Sequence, residues 1–102
     1  MAGLNVSSAV DYETVAASQS DQVLGANGAA GDYLKRLIVT VGNPAAATVT
    51  IKDGGGSEIP IMPGSTSIGV TVVIDIEARS KSGAWSVSTN TGASVIAIGA
   101  FS

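Results

Sequence analysis

Polar and apolar residues change places at every step through much of this 102-residue chain, and Gly, Pro, Asn and Asp mark the corners between the alternating runs. A period of two puts successive side chains on opposite faces of a pleated strand, whereas a helix needs apolar residues three and four apart. The pattern is clearest in Ala47-Thr48-Val49-Thr50-Ile51-Lys52, where Ala47, Val49 and Ile51 share one face and Thr48, Thr50 and Lys52 the other. Upstream, Tyr33 to Val41 sets Leu37, Val39 and Val41 inside and Arg36, Ile38 and Thr40 outside. The abundance of Val, Ile and Thr fits the same reading, because β-branched side chains pack well on a pleated surface.

The corners divide the chain into strands. Gly42-Asn43-Pro44 reads as a turn, since Pro44 disfavours a helical Asn43 and has no N–H to donate. Asp53-Gly54-Gly55-Gly56-Ser57 supplies the left-handed conformations of a hairpin loop. Glu58 to Met62 returns as a strand that Pro60 and the following Pro63-Gly64 assign to a sheet edge. Gly69 to Arg79 is the longest candidate and is expected to cross the whole domain, with Val70, Val72, Ile74, Ile76 and Ala78 on one face. Turns at Ser80 to Gly83 and Asn90 to Gly92 flank a strand that groups Trp85, Val87 and Thr89. Ser94 to Phe101 is apolar on both faces, with Ile96, Ile98 and Ala100 opposite Val95, Ala97 and Phe101, as in a central strand or one covered by another subunit. Two weaker strands are expected near Glu13 to Ala17 and Asp21 to Leu24. Together these give an all-β chain of about eight short strands, folded as a single antiparallel β-sandwich or barrel. Residues 1–12, with scattered apolar positions at Leu4, Val6, Val10 and Tyr12, read as an extended arm before a β-sandwich domain at 13–102. At this size one core is expected and self-association is a natural supplement to it.

Composition narrows the function. The chain has neither histidine nor cysteine, which removes the commonest general base, the Ser/His relay, thiol nucleophiles and nearly all zinc sites. Its five cations, Lys35, Arg36, Lys52, Arg79 and Lys81, make no basic stripe, and the net charge is −3, so nucleic acid is not an expected partner. No apolar run is long enough to span a bilayer as a helix, and the first residues lack the charged and apolar regions of an export signal. Asn5-Val6-Ser7 matches a glycosylation sequon that such a chain has no occasion to use.

Three places invite a chemical reading and none sustains it. Asp53 to Glu58 sets glycines beside carboxylates, yet Gly55 and Glu58 stand where a calcium loop needs an oxygen ligand and a glycine, and a phosphate loop's Gly-Lys-Ser/Thr ending is missing. Asp75 and Glu77 share a strand face, the spacing of a carboxylate pair, but the opposite face is apolar and the pair reads as a solvated surface. Lys81 lies in a turn with no serine placed beside a buried amine. Trp85, Tyr12, Tyr33 and Phe101 are too few for a sugar or single-strand stacking platform, and Trp85 reads as a core anchor. The expectation is a non-enzymatic protein with no cofactor and no metal.

Four stretches carry a likeness to a known family: Gly31-Asp32-Tyr33-Leu34-Lys35-Arg36-Leu37-Ile38-Val39, Val49-Thr50-Ile51-Lys52-Asp53-Gly54, Ser80-Lys81-Ser82-Gly83-Ala84-Trp85-Ser86-Val87 and Ala97-Ile98-Gly99-Ala100-Phe101. Over roughly residues 14–102 the chain resembles the capsid decoration, or cement, proteins of tailed bacteriophages. The resemblance implies a jelly-roll sandwich, made in the host cytoplasm, that forms dimers or trimers on the exterior of the virion and bridges subunits of the major capsid protein. It also implies that an extended terminus ties one subunit to the next, for which Leu4, Val6, Val10 and Tyr12 are the candidate contact residues. A tail-, baseplate- or fibre-associated structural module is the alternative within this class, and a glycan-binding sandwich the alternative outside it.

Overall fold

The computed structural model of the protein describes residues 10–42, 47–65, with the backbone alone at Ser65, and 69–102. Among these residues are eight strands: β1 (Asp11–Val15), β2 (Gln22–Val23), β3 (Tyr33–Val41), β4 (Ala47–Asp53), β5 (Ile59–Ser65), β6 (Thr71–Arg79), β7 (Trp85–Thr89) and β8 (Ala93–Ala100). They form two four-stranded antiparallel sheets, ordered β1-β8-β3-β6 and β2-β7-β4-β5. β4 pairs with β5, β3 with β6, β2 with β7 and β1 with β8, so the chain is one long ribbon of nested pairs, rolled until β8 meets β3 and β7 meets β4. That nesting is the order of a jelly roll. The expected turn at Gly42-Asn43-Pro44 has its last two residues outside the described set.

The alternating runs become the two halves of the core. Leu37, Val39 and Val41 of β3, Ala47, Val49 and Ile51 of β4, and Val87 of β7 are all buried between the sheets. Each buried Leu, Ile or Val side chain contributes about 1.5–3 kcal/mol on leaving water. Trp85 is buried as well, and its indole Nε1 donates to the Asp32 carbonyl at 3.0 Å. β8 lies between β1 and β3, with Val95 and Ala97 buried in the core and Ile96 and Ile98 on the outer face of the sheet. β5, with Pro60 and Pro63, is the edge strand that its prolines require.

β3 departs from simple alternation at its start. Leu34 and Leu37 are both fully buried although they lie three apart. The register of β3 shifts against both of its neighbours between Leu34 and Arg36, so Lys35 is an extra residue relative to β8. On the other side, Ile76 and Glu77 of β6 share the place opposite Lys35, and Glu77 takes a positive φ of 53°. β6 itself is an edge, and its inner-face residues Val72, Ile74, Ile76 and Ala78 are half-buried rather than sealed.

The loops at one end are locked by two aspartates. The Asp53 carboxylate accepts the backbone N–H groups of Lys81 and Ser82, each at 2.9 Å. Gly54, at φ +57°, lets the β4–β5 loop lie directly on the β6–β7 turn, where an added Cβ would stand 2.6 Å from the Gly83 nitrogen. Asp32 is buried and accepts the Ala29 N–H, the Ser102 N–H and the Ser102 hydroxyl. The Ser102 carbonyl in turn accepts the N–H groups of Asn27 and Gly28, so residue 102 is stitched into the loop that precedes β3.

Candidate interaction surface

Register decides which outward side chains meet. Across the sheet β1-β8-β3-β6, Thr14 lies opposite Ile96, Ile96 opposite Ile38 and Ile38 opposite Val73. The neighbouring row runs Tyr12, Ile98, Arg36, Asp75. An unbroken apolar band therefore crosses the outside of the sheet from Tyr12 and Ile98 through Ile96 and Ile38 to Val73. It is open to solvent: Tyr12 is 73%, Val73 58% and Ile96 39% exposed. One end of the Arg36 row is closed by an ion pair, Arg36 Nε to Asp75 Oδ1 at 2.9 Å, on the exposed face.

Nothing in folding asks for this band. The core is supplied by the opposite faces of the same strands, and an outward face of an antiparallel sheet is ordinarily polar. The other sheet comes closer to that rule: Thr48, Thr50 and Lys52 of β4 and Ser88 of β7 are half-buried polar residues, Ser86 is a buried one, and Val23 of β2, opposite Ser86, is the exposed apolar exception. Ser88 is also tied down, with its Oγ accepting the Asp21 N–H at 2.8 Å and donating to the Asp21 carboxylate. Contiguous exposed apolar surface on one side of a small domain marks a place where something binds.

The residues singled out in the sequence are placed as follows. Leu4 and Val6 lie outside the described residues. Val10 is exposed and Tyr12 belongs to β1, at the β1 end of the apolar band, rather than to a segment ahead of the sandwich. Ile38, Ile96, Ile98 and Val73 complete the band. Ile38 and Val73 were legible as outward residues and Ile96 and Ile98 as one of two apolar faces of their strand, but their alignment depends on which strands are neighbours.

The chemically tempting groups are committed elsewhere. Backbone hydrogen bonds, the one from Ser82 foremost, hold the Asp53 carboxyl below the ordinary carboxylate range, outweighing the partial burial that would raise it, with further help from Lys81 and Gly83. Burial pushes Asp32 up, and the hydrogen bonds from Ser102 and Ala29 overcome it, leaving its carboxyl likewise lowered. Asp75 faces Arg36, and Glu77 sits at the β6 bulge. A shallow hollow of about 360 Å³ is lined by Asp11, Asp32, Arg79 and Phe101 among others. Its Arg79 donates to the Gly31 carbonyl at 3.1 Å and lies over the Tyr33 ring, 5.7 Å from the centroid. Among the described residues no group of three acidic side chains is placed to hold a metal ion, and no helix is long and apolar enough to cross a membrane. Comparison with protein-family models, with curated proteins and with solved structures finds no match.

Proposed function

We propose that this protein is a structural virion component of the capsid decoration type, which bridges major capsid protein subunits through the outer face of the sheet β1-β8-β3-β6. The observation that carries the proposal is the apolar band from Tyr12 to Val73 on one outer face of a jelly roll whose other outer face carries Thr48, Thr50, Lys52 and Ser88 on its central strands. A flat, β-branched surface suits burial against another protein, with desolvation of Ile and Val side chains as the driving term and the Arg36 and Asp75 pair at the rim. The motif resemblance described above and the absence of histidine and cysteine from the whole chain support the same reading.

Cosedimentation tests it. Purified protein mixed with heads that lack it should saturate at a fixed stoichiometry, and Ile96→Glu should abolish uptake without changing the circular dichroism spectrum. Uptake by tails instead of heads would move the site of action, and no uptake by either would overturn the proposal.

A further inference from the structure

The two sheets have four edges, and these differ in what they offer. β2 has two residues, β1 has five, and β5 carries Pro60 and Pro63. β6 has nine residues and no proline. On the β1–β2 side the sandwich is clasped shut: the Glu13 carboxylate accepts Gln22 Nε2 at 3.0 Å and the Gly25 N–H at 2.7 Å. On the opposite side, among the described residues, no hydrogen bond joins β5 to β6. Among the described residues no strand pairs with the outer side of β6, and a long edge of this kind is a template for another strand.

We infer that β6 pairs antiparallel with β6 of a second copy of the chain, about a two-fold axis through Val73. Ladder geometry fixes which residues can take part. The Val41 N–H donates to the Val70 carbonyl at 2.9 Å, so the pair Val41 and Val70 is a hydrogen-bonded one. Alternation then turns the backbone groups of Val72 and Ile74 toward β3 and those of Thr71, Val73 and Asp75 away from it. An isologous antiparallel contact with a hydrogen-bonded pair on its axis is centred on one of these three. Centring on a non-hydrogen-bonded position instead runs the pairing out to Gly69 opposite Asp75 when the centre is Val72, or sets Val73 against the Asp75 carboxylate and runs into the Ile76 and Glu77 bulge when it is Ile74. Centring on Asp75 sets two carboxylates face to face, which is repulsive. Centring on Thr71 runs the pairing out toward Gly69 and forfeits the apolar residues beyond Val73. Centring on Val73 makes Thr71 face Asp75, Val73 face itself, and Val72 face Ile74.

That register also answers two features of the isolated chain. The half-buried inner residues Val72 and Ile74 gain apolar neighbours from the second copy, and the outward band ending at Val73 continues into its mirror on the next sheet. The β6 bulge at Ile76 and Glu77 ends the match, as bulges on edges do. Pairing of this length buries less than the roughly 1,200 Å² of a standard interface, so the dimer depends on concentration.

The absence of cysteine makes a clean test available. In the inferred register the two Val73 Cα atoms lie about 5.5 Å apart, within disulfide range, while the two Thr71 Cα atoms lie about 14 Å apart. Under mild oxidation Val73→Cys should give a disulfide dimer at least about ten times faster than Thr71→Cys or Val23→Cys, both on exposed positions. Val73→Pro removes one outward N–H and leaves the β3 ladder intact, so it should shift sedimentation to the monomer with an unchanged melting temperature. Equal crosslinking rates at the three positions, or a wild-type chain monomeric up to about 1 mM, would overturn the inference. Neither readout involves heads, so loss of the attachment proposal and loss of this one are told apart.

Discussion

The two outward faces of the sandwich are built from the same kind of strand and do opposite things. On β4 and β7 the outward positions are Thr48, Thr50, Lys52, Ser86 and Ser88, so polarity alternates with direction; these side chains are half-buried, except Ser86, which is buried. On β3 and β8 the outward positions include Ile38, Ile96 and Ile98, and the alternation of polarity fails while the alternation of direction holds. The difference separates what the fold requires from what a partner requires. A sheet needs one apolar face to close a core, and the second apolar face of β3 and β8 is surplus to that need.

The sharpest way to break the comparison is to truncate neighbours that point in opposite directions. Leu37→Ala, on the buried side of β3, should cost about 3 kcal/mol in denaturant unfolding, whereas Ile38→Ala next to it should stay within about 1 kcal/mol. Similar losses at both would mean that the outward face is part of the fold's own core. Next in size is the Asp32 hydrogen-bond cluster that ties residue 102 to the loop before β3. Asp32→Ala should destabilise by about 2 kcal/mol, because the N–H groups of Ala29 and Ser102 lose a charged acceptor, and it should leave both outward faces unaltered.

Acid gives a related, smaller effect. Asp32 and Asp53 are held below the ordinary carboxylate value in the folded chain. A depressed folded pKa stabilises fully above the unfolded value of about 3.9 and is lost as the pH falls through the folded one. Thermal stability should therefore drop below about pH 4, and less steeply in Asp53→Asn. An acid profile identical to wild type in that variant would remove Asp53 from the account. Smallest of all is the rim: Arg36→Ala deletes an exposed ion pair and should change stability by less than about 1 kcal/mol, visible only by a double-mutant cycle with Asp75→Ala.

Much of this was readable before any coordinates. The inner residues of β4, the edge position of β5 from its prolines, the central place of β8 and the burial of Trp85 follow from period, turn chemistry and amphipathicity. Leu34 did not, because the bulge at Lys35 resets the phase and nothing in Leu34-Lys35-Arg36-Leu37 distinguishes a bulge from an outward leucine. The edge position of β6 was also hidden: its alternation in sequence is as regular as that of β4, and the half-burial of Ile74 and Ile76 depends on what lies beside it. Tyr12 stood out as an apolar residue of a supposed arm, but its place at one end of a band with Ile98 and Ile96 comes from the β1–β8 register, a long-range pairing that local pattern does not encode.

Under the proposed capsid role, electron microscopy of heads saturated with the protein, at a resolution that separates strands, decides between the faces directly. Tyr12, Ile38 and Ile96 should be found packed against a neighbouring protein, with Thr48, Thr50 and Lys52 in solvent. A particle in which the threonine face is docked and the isoleucine face is wet would contradict the assignment.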